Sequence, residues 1–269
     1  MVGPSYAKQV YEKEFEAEAA RLGHPVRLCK FAKNRLAGFE QHLELQHLLV
    51  GKRWPRLKLV YFDASLGPDS GYVEANAFKP RITAYHTAHL FPWYFRYWNA
   101  QESGPVAHAR QLAGHLLHFV GNTLAVGRGA AGMVSLAEPP PPPKEQQPLS
   151  IRKHNAKLAQ LKRDVAQRTH VTYPNERKRQ ILEEAELIRS QGYLGEALMA
   201  PTWVNVNAFG EEPLGEARVL FHDFADPKRY PTLYKHGTHK RDGHLTKSGA
   251  EEYSKLLARL TVERLKDAQ

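Results

Sequence analysis

Five consecutive prolines, Pro139 to Pro143, stand inside EPPPPPKEQQP and constrain the fold more than any other stretch of the chain. Proline fixes its own φ and brings no N–H, so such a run cannot continue a helix or a strand ladder and favours an extended polyproline segment. A stiff spacer is the use that follows, with docking into an aromatic-lined groove as the alternative. Around it the chain divides into a helical extension over 1–53, a small α/β domain over 54–137, the linker at 138–150 and a basic helical and irregular region over 151–269.

Within the first part, Tyr6, Val10, Phe15 and Leu22 make a thin apolar stripe that predicts a polar helix over 5–22, closed by Gly23, His24 and Pro25. A second helix is expected from Leu28 to Gly51, on the spacing of Ala32, Leu36, Phe39, Leu43 and Val50. The texture then changes. LKLVYF (57–62), RITAYH (81–86) and WYFRYW (93–98) are short, rich in β-branched and aromatic residues and bounded by turn formers, which is the strand signature. A helix from Val106 to about Leu124 covers this sheet, so the fold class expected is α+β, a small mixed sheet with a packed helix. After the linker, helices are expected over 151–170 and from Pro174 to about Gly192, then an irregular stretch, and last a helix with Tyr253, Leu256, Leu257, Leu260 and Val262 on its apolar face.

The charge is clustered. Between Ser150 and Gln180 nine cations (Arg152, Lys153, Lys157, Lys162, Arg163, Arg168, Arg177, Lys178 and Arg179) face two acids, which supplies most of the net +10. A second cluster runs from Asp226 to Lys247 and includes Lys235, Lys240, Arg241 and Lys247. Such clustering suits an anionic partner, RNA above all, through phosphate contacts that release counterions. Cys29 is the single cysteine, which rules out an intrachain disulfide, a CxxC redox pair and a cysteine-rich zinc site. The most apolar segment, 112–126, is interrupted by His115, His118 and Asn122 and is too short to span a membrane. Glu12, Glu14, Glu16 and Glu18 make the N-terminus too acidic for a transit peptide.

HGTHKRDGHLTKSG, residues 236–249, holds the residue types of a site. As metal ligands His236, His239, His244 and Asp242 fit no standard spacing, and the surrounding cations oppose a metal ion, so no metal and no cofactor are expected. Asp242-Gly243-His244-Leu245-Thr246, followed by Gly249 and a helix, is similar to the closing motif of SGNH-type esterases, where an Asp and a His serve a serine nucleophile. In that family two residues separate the pair, and here one does. The resemblance further implies a Gly-Asp-Ser turn after the first strand; with LKLVYF taken as that strand, Ser65 of YFDASLG holds the place without the Gly and the Asp. A serine without its turn lacks both base and oxyanion donors, so a basic contact segment is the expected role and no residue is expected to be catalytic.

The order LKLVYF, RITAYH, Pro92, WYFRYW, then a helix from Val106, resembles the thioredoxin-like domain shared by mitochondrial ribosomal proteins and a small accessory subunit of respiratory complex I. That resemblance covers about residues 57–120 and implies a scaffold without redox chemistry, with Trp93, Tyr94, Tyr97 and Trp98 as partner anchors. The expected function is therefore that of a non-enzymatic structural subunit of a large mitochondrial assembly, in the matrix or on the matrix face of the inner membrane. The ribosome, with rRNA and other subunits as partners, comes first. An accessory subunit of a respiratory complex or of the ATP synthase, meeting cardiolipin, is the alternative, and a divergent SGNH-type hydrolase the second alternative.

Overall fold

The computed structural model describes residues 1–3, 5–32, 38–51, 54–64, 104–127, 147–166, 175–203 and 219–267. The chain forms two compact units. One contains Met1–Leu36, Glu44–Leu66 and Pro140–Gln269, the other Ala37–Leu43 and Gly67–Pro139, so the division falls inside the proline run.

The larger unit is built on a five-stranded sheet of order β2-β1-β3-β4-β5, with β1 at Val2–Gly3, β2 at Phe31–Ala32, β3 at Leu59–Asp63, β4 at Leu194–Met199 and β5 at Leu220–Asp223. Every pairing is parallel, from Val2 beside Phe31 and Phe62 to Leu59–Asp63 beside Leu194–Leu198 and Glu196–Met199 beside Leu220–Asp223. A parallel sheet needs cover on both faces, and the side chains show it. Val60, Phe62, Ala197, Met199 and Phe221 pack with Leu45, Leu48 and Leu49 of α2 (Gly38–Leu49) and with Ile181, Ala185 and Ile188 of α5 (Asn175–Ser190). Tyr61 and Leu198, one residue out of phase, pack with Phe15 and Ala19 of α1 (Glu12–Arg21), Leu161 of α4 (Ile151–Ala166), and Tyr253, Leu257 and Val262 of α6 (Lys247–Asp267).

The mixed α/β composition expected from the sequence is present, but the sheet is parallel rather than mixed and draws its strands from both ends of the chain. LKLVYF does form a strand, β3, whose two edges carry β1 and β4. The strands expected at 81–86 and 93–98 lie outside the described residues together with the four aromatic anchors, and the described pairings of β3 are to β1 and β4. The expected helix over 5–22 is a 3-10 turn at Ser5–Gln9 followed by α1. Of the helix expected over 28–51 the described residues form α2, while Phe31 and Ala32 form β2 instead, with the Phe31 N–H donating to the Met1 carbonyl at 2.8 Å. β4 and β5 fall in the stretch expected to be irregular chain. LGEALM buries its last four residues in succession and so shows no alternation to read.

In the other unit, α3 (Pro105–Gly127) covers the helix expected over 106–124. Val106, Leu117 and Leu124 on it are exposed. Among the described residues no helix is long and apolar enough to cross a membrane.

Candidate active site at the carboxyl edge of the sheet

In the order 2-1-3-4-5 the chain winds one way from β1 to β2 and the other way from β3 onward. In an open parallel sheet the carboxyl edge beside such a reversal of winding is the usual ligand position. Ser5 opens the 3-10 turn that leaves β1 after Gly3 and Pro4. Asp63 ends β3 and Asp223 ends β5, both buried, with Asp223 Oδ1 accepting the Ala225 N–H at 2.9 Å.

The segment 236–249 reaches the same edge as a small folded hairpin. His239 bridges Leu245 in antiparallel fashion, and Lys240 N–H donates to the His244 carbonyl at 2.7 Å. Gly243 turns the chain at φ 91°, a conformation glycine adopts without cost. That turn makes the short Asp-Gly-His spacing workable. Asp242 Oδ1 accepts the backbone N–H of His244 at 2.9 Å, while its Oδ2 stands 3.3 Å from His244 Nδ1. With side chains 20% and 31% exposed, the pair is reachable from solvent. Beyond it, Thr246 caps α6 by accepting the Gly249 N–H at 3.3 Å and donates to the Gly237 carbonyl at 2.7 Å. Gly249 is required by space: a Cβ there would meet the Thr238 carbonyl oxygen at 2.2 Å.

One hydrogen bond ties this hairpin to the turn after β1. Leu245 N–H, next to His244, donates to Gln9 Oε1 at 2.8 Å across 236 residues of sequence, and Gln9 is buried on the same turn that Ser5 opens. Two residues on, Tyr11 N–H donates to Ser254 Oγ of α6 at 2.8 Å. The start of the chain and its last helix are thereby held in one piece.

Of the other two histidines of the segment, His236 is exposed with its Nε2 3.1 Å from the Leu149 carbonyl, and His239 serves packing. His239 is buried, stacked on Tyr234 at 5.2 Å and tilted against Trp203 at 4.6 Å, and burial pushes its pKa down to about 3, with His154 and Lys157 adding to the effect. His154 of α4 is edge-on to Trp203 and His236, and burial lowers its pKa as well. Among the described residues no group of three or more His, Cys, Asp or Glu could hold a metal ion.

Of the expected anion-binding residues, Arg152, Lys153, Lys162 and Arg163 are exposed on α4 and Lys157 is half-buried there; Arg163 also donates to Gln160 Oε1 at 2.6 Å. Arg241 N–H donates to the Gln147 carbonyl and Lys240 bridges Pro148, so the hairpin tip adjoins the lead-in to Arg152 and Lys153. Lys235 is exposed, and Lys247 lies 3.9 Å from Glu251. Arg177, Lys178 and Arg179 belong to α5, while Arg168, like Ser65, lies outside the described residues. The sequence reading passed over Gly3-Pro4-Ser5, which has the Gly and Ser of the Gly-Asp-Ser pattern with proline between them. A two-residue strand carries no periodicity that would have marked it as the first strand.

No protein-family model, characterised protein or solved structure matches this chain.

Proposed function

We propose that this protein is a serine hydrolase acting on carboxylic esters, with Ser5 as nucleophile, His244 as general base and Asp242 holding the imidazole. The observation that carries this reading is the Gln9–Leu245 hydrogen bond, which fastens the turn opened by Ser5 to the hairpin bearing His244. His244 takes the Ser5 proton as Oγ attacks the ester carbonyl, and returns it to the alkoxide as the C–O bond breaks. Water, deprotonated in turn by His244, then cleaves the acyl-serine and regenerates Ser5. Asp242 fixes the tautomer that presents Nε2 and stabilises the imidazolium. N–H groups at the start of a helical turn have no acceptor inside it, so the turn at Ser5 offers donors for the oxyanion.

The likeness of Asp242-Gly243-His244-Leu245-Thr246 to the SGNH closing motif supports the same reading, now with Ser5 in the place Ser65 was expected to fill. A second reading, the non-enzymatic RNA-facing subunit of a mitochondrial assembly, is favoured by the exposed cations of α4.

Labelling with a fluorophosphonate probe and turnover of 4-nitrophenyl acetate decide between them. The probe should mark Ser5, and Ser5→Ala or His244→Ala should lower kcat/KM by about 10³-fold or more with the fold retained. Absence of label and of turnover in the wild type would sink the hydrolase and leave the RNA-facing subunit.

A further inference from the structure

We propose that the ester this site accepts carries a carboxylate or phosphate close to the scissile bond, received by a cationic rim of Lys240, Arg241, Arg152 and Lys153. The inference rests on the hydrolase reading and adds the substrate class to it.

Lys240 and Arg241 immediately precede Asp242 and sit at the tip of the hairpin that positions His244, with Lys240 N–H bonded to the His244 carbonyl at 2.7 Å. The same tip pairs with Gln147 and Pro148, and Leu149 N–H donates to the His239 carbonyl at 3.4 Å, so α4 starts beside it. Arg152 and Lys153 stand in the first turn of that helix, which contains no acid. Cations at a helix N-terminus oppose the macrodipole. Stability alone would not select that placement, and a bound anion would offset it.

Three arginines elsewhere in the chain give a contrast. Arg21 and Arg259 both close on Glu18 at 2.7 Å, and Arg264 closes on Glu196 at 2.6 Å. Those cations are engaged in holding helices. No ion pair joins Lys240, Arg241, Arg152 or Lys153 to an acid among the described residues, and Asp242, the acid within the hairpin, is turned to His244. Three of the four are exposed and Lys240 is half-buried. Farther along α4, Lys162 and Arg163 stand more than two turns away from Lys153. Charge of one sign beside a site raises the local concentration of an oppositely charged substrate and its rate of capture.

The test compares 4-nitrophenyl acetate with two analogues carrying a carboxylate on the acyl arm or on the alcohol arm. With wild-type protein, kcat/KM for at least one anionic ester should exceed that for the neutral ester by about tenfold, and the ratio should fall as salt rises from about 0.02 to 0.5 M. Lys240→Gln with Arg241→Gln should bring the ratio toward one, and Arg152→Gln with Lys153→Gln, on an exposed helix surface, should do so in part. Turnover of the neutral ester with no anionic preference, or a preference that ignores salt and survives both double variants, overturns the proposal while leaving the hydrolase standing. So does equal turnover of all three esters together with salt-dependent RNA binding that Arg152→Gln and Lys153→Gln abolish, which assigns the cations to nucleic acid. Failure to turn over any ester, with no label on Ser5, removes the hydrolase and this substrate class together.

Discussion

Gly249 carries the sharpest steric constraint near the site. Adding a Cβ 2.2 Å from the Thr238 carbonyl must push the hairpin off α6, so Gly249→Ala should lower stability by about 1–3 kcal/mol, read from urea denaturation, and reduce ester turnover with it. Wild-type stability in that variant would mean the hairpin is not seated as described. His239 gives a pH signature. Its folded pKa is depressed to about 3 from 6.5, so the unfolded chain binds a proton the native state refuses. Its contribution is present above about pH 6.5 and is lost progressively as pH falls toward 3. His239→Phe should flatten the urea midpoint over that window; an unchanged slope would place the dependence elsewhere. Asp242 and His244 were legible as a motif because their relation is local. Gln9 was not, because it matters through an atom 236 residues away in the chain; Gly249 was legible as part of the motif, but not the Thr238 carbonyl that requires it.

Between elements, buried carboxylates hold helices to one another and to the sheet. Glu18 of α1 takes Arg21 and Arg259, whose hydrogen bonds hold its pKa down to about 2, and Arg259 belongs to α6. Glu196 of β4 accepts from Arg264 of α6 at 2.6 Å and meets His222 of β5 at 2.7 Å. Arg264→Ala would leave a buried carboxylate with one partner. The expected cost is about 2 kcal/mol or more, below that of a fully buried pair because Arg264 is one-third exposed. Thermal melts of Arg264→Ala, Glu196→Gln and the double variant check this: the double should be less destabilised than the two singles summed. Additive losses would show that the pair does not couple α6 to the sheet. α3, α4 and α6 could be read from apolar spacing along the chain. β1 could not, at two residues, and β4 could not because both its faces are covered.

Across the whole molecule, protection against hydrogen exchange distinguishes the two architectures most directly. The small-sheet expectation puts slow exchange in about 55–125 and fast exchange from Glu138 to Gly249. The observed sheet puts slow exchange at 59–63, 194–199, 220–223 and in α6, since these pack into the two cores on either face of the sheet. Fast exchange throughout 194–223 would restore the earlier architecture. By itself the sequence determined what depends on neighbours in the chain: the long helices, the strand character of LKLVYF, the clustering of charge and the Asp242-Gly243-His244 turn. Tertiary structure alone decided which strands pair, that they pair in parallel, and that Gln9 bonds the backbone of Leu245. Parallel pairing joins segments separated by long crossovers, and its strands, covered on both faces, leave no alternation in the sequence to say so.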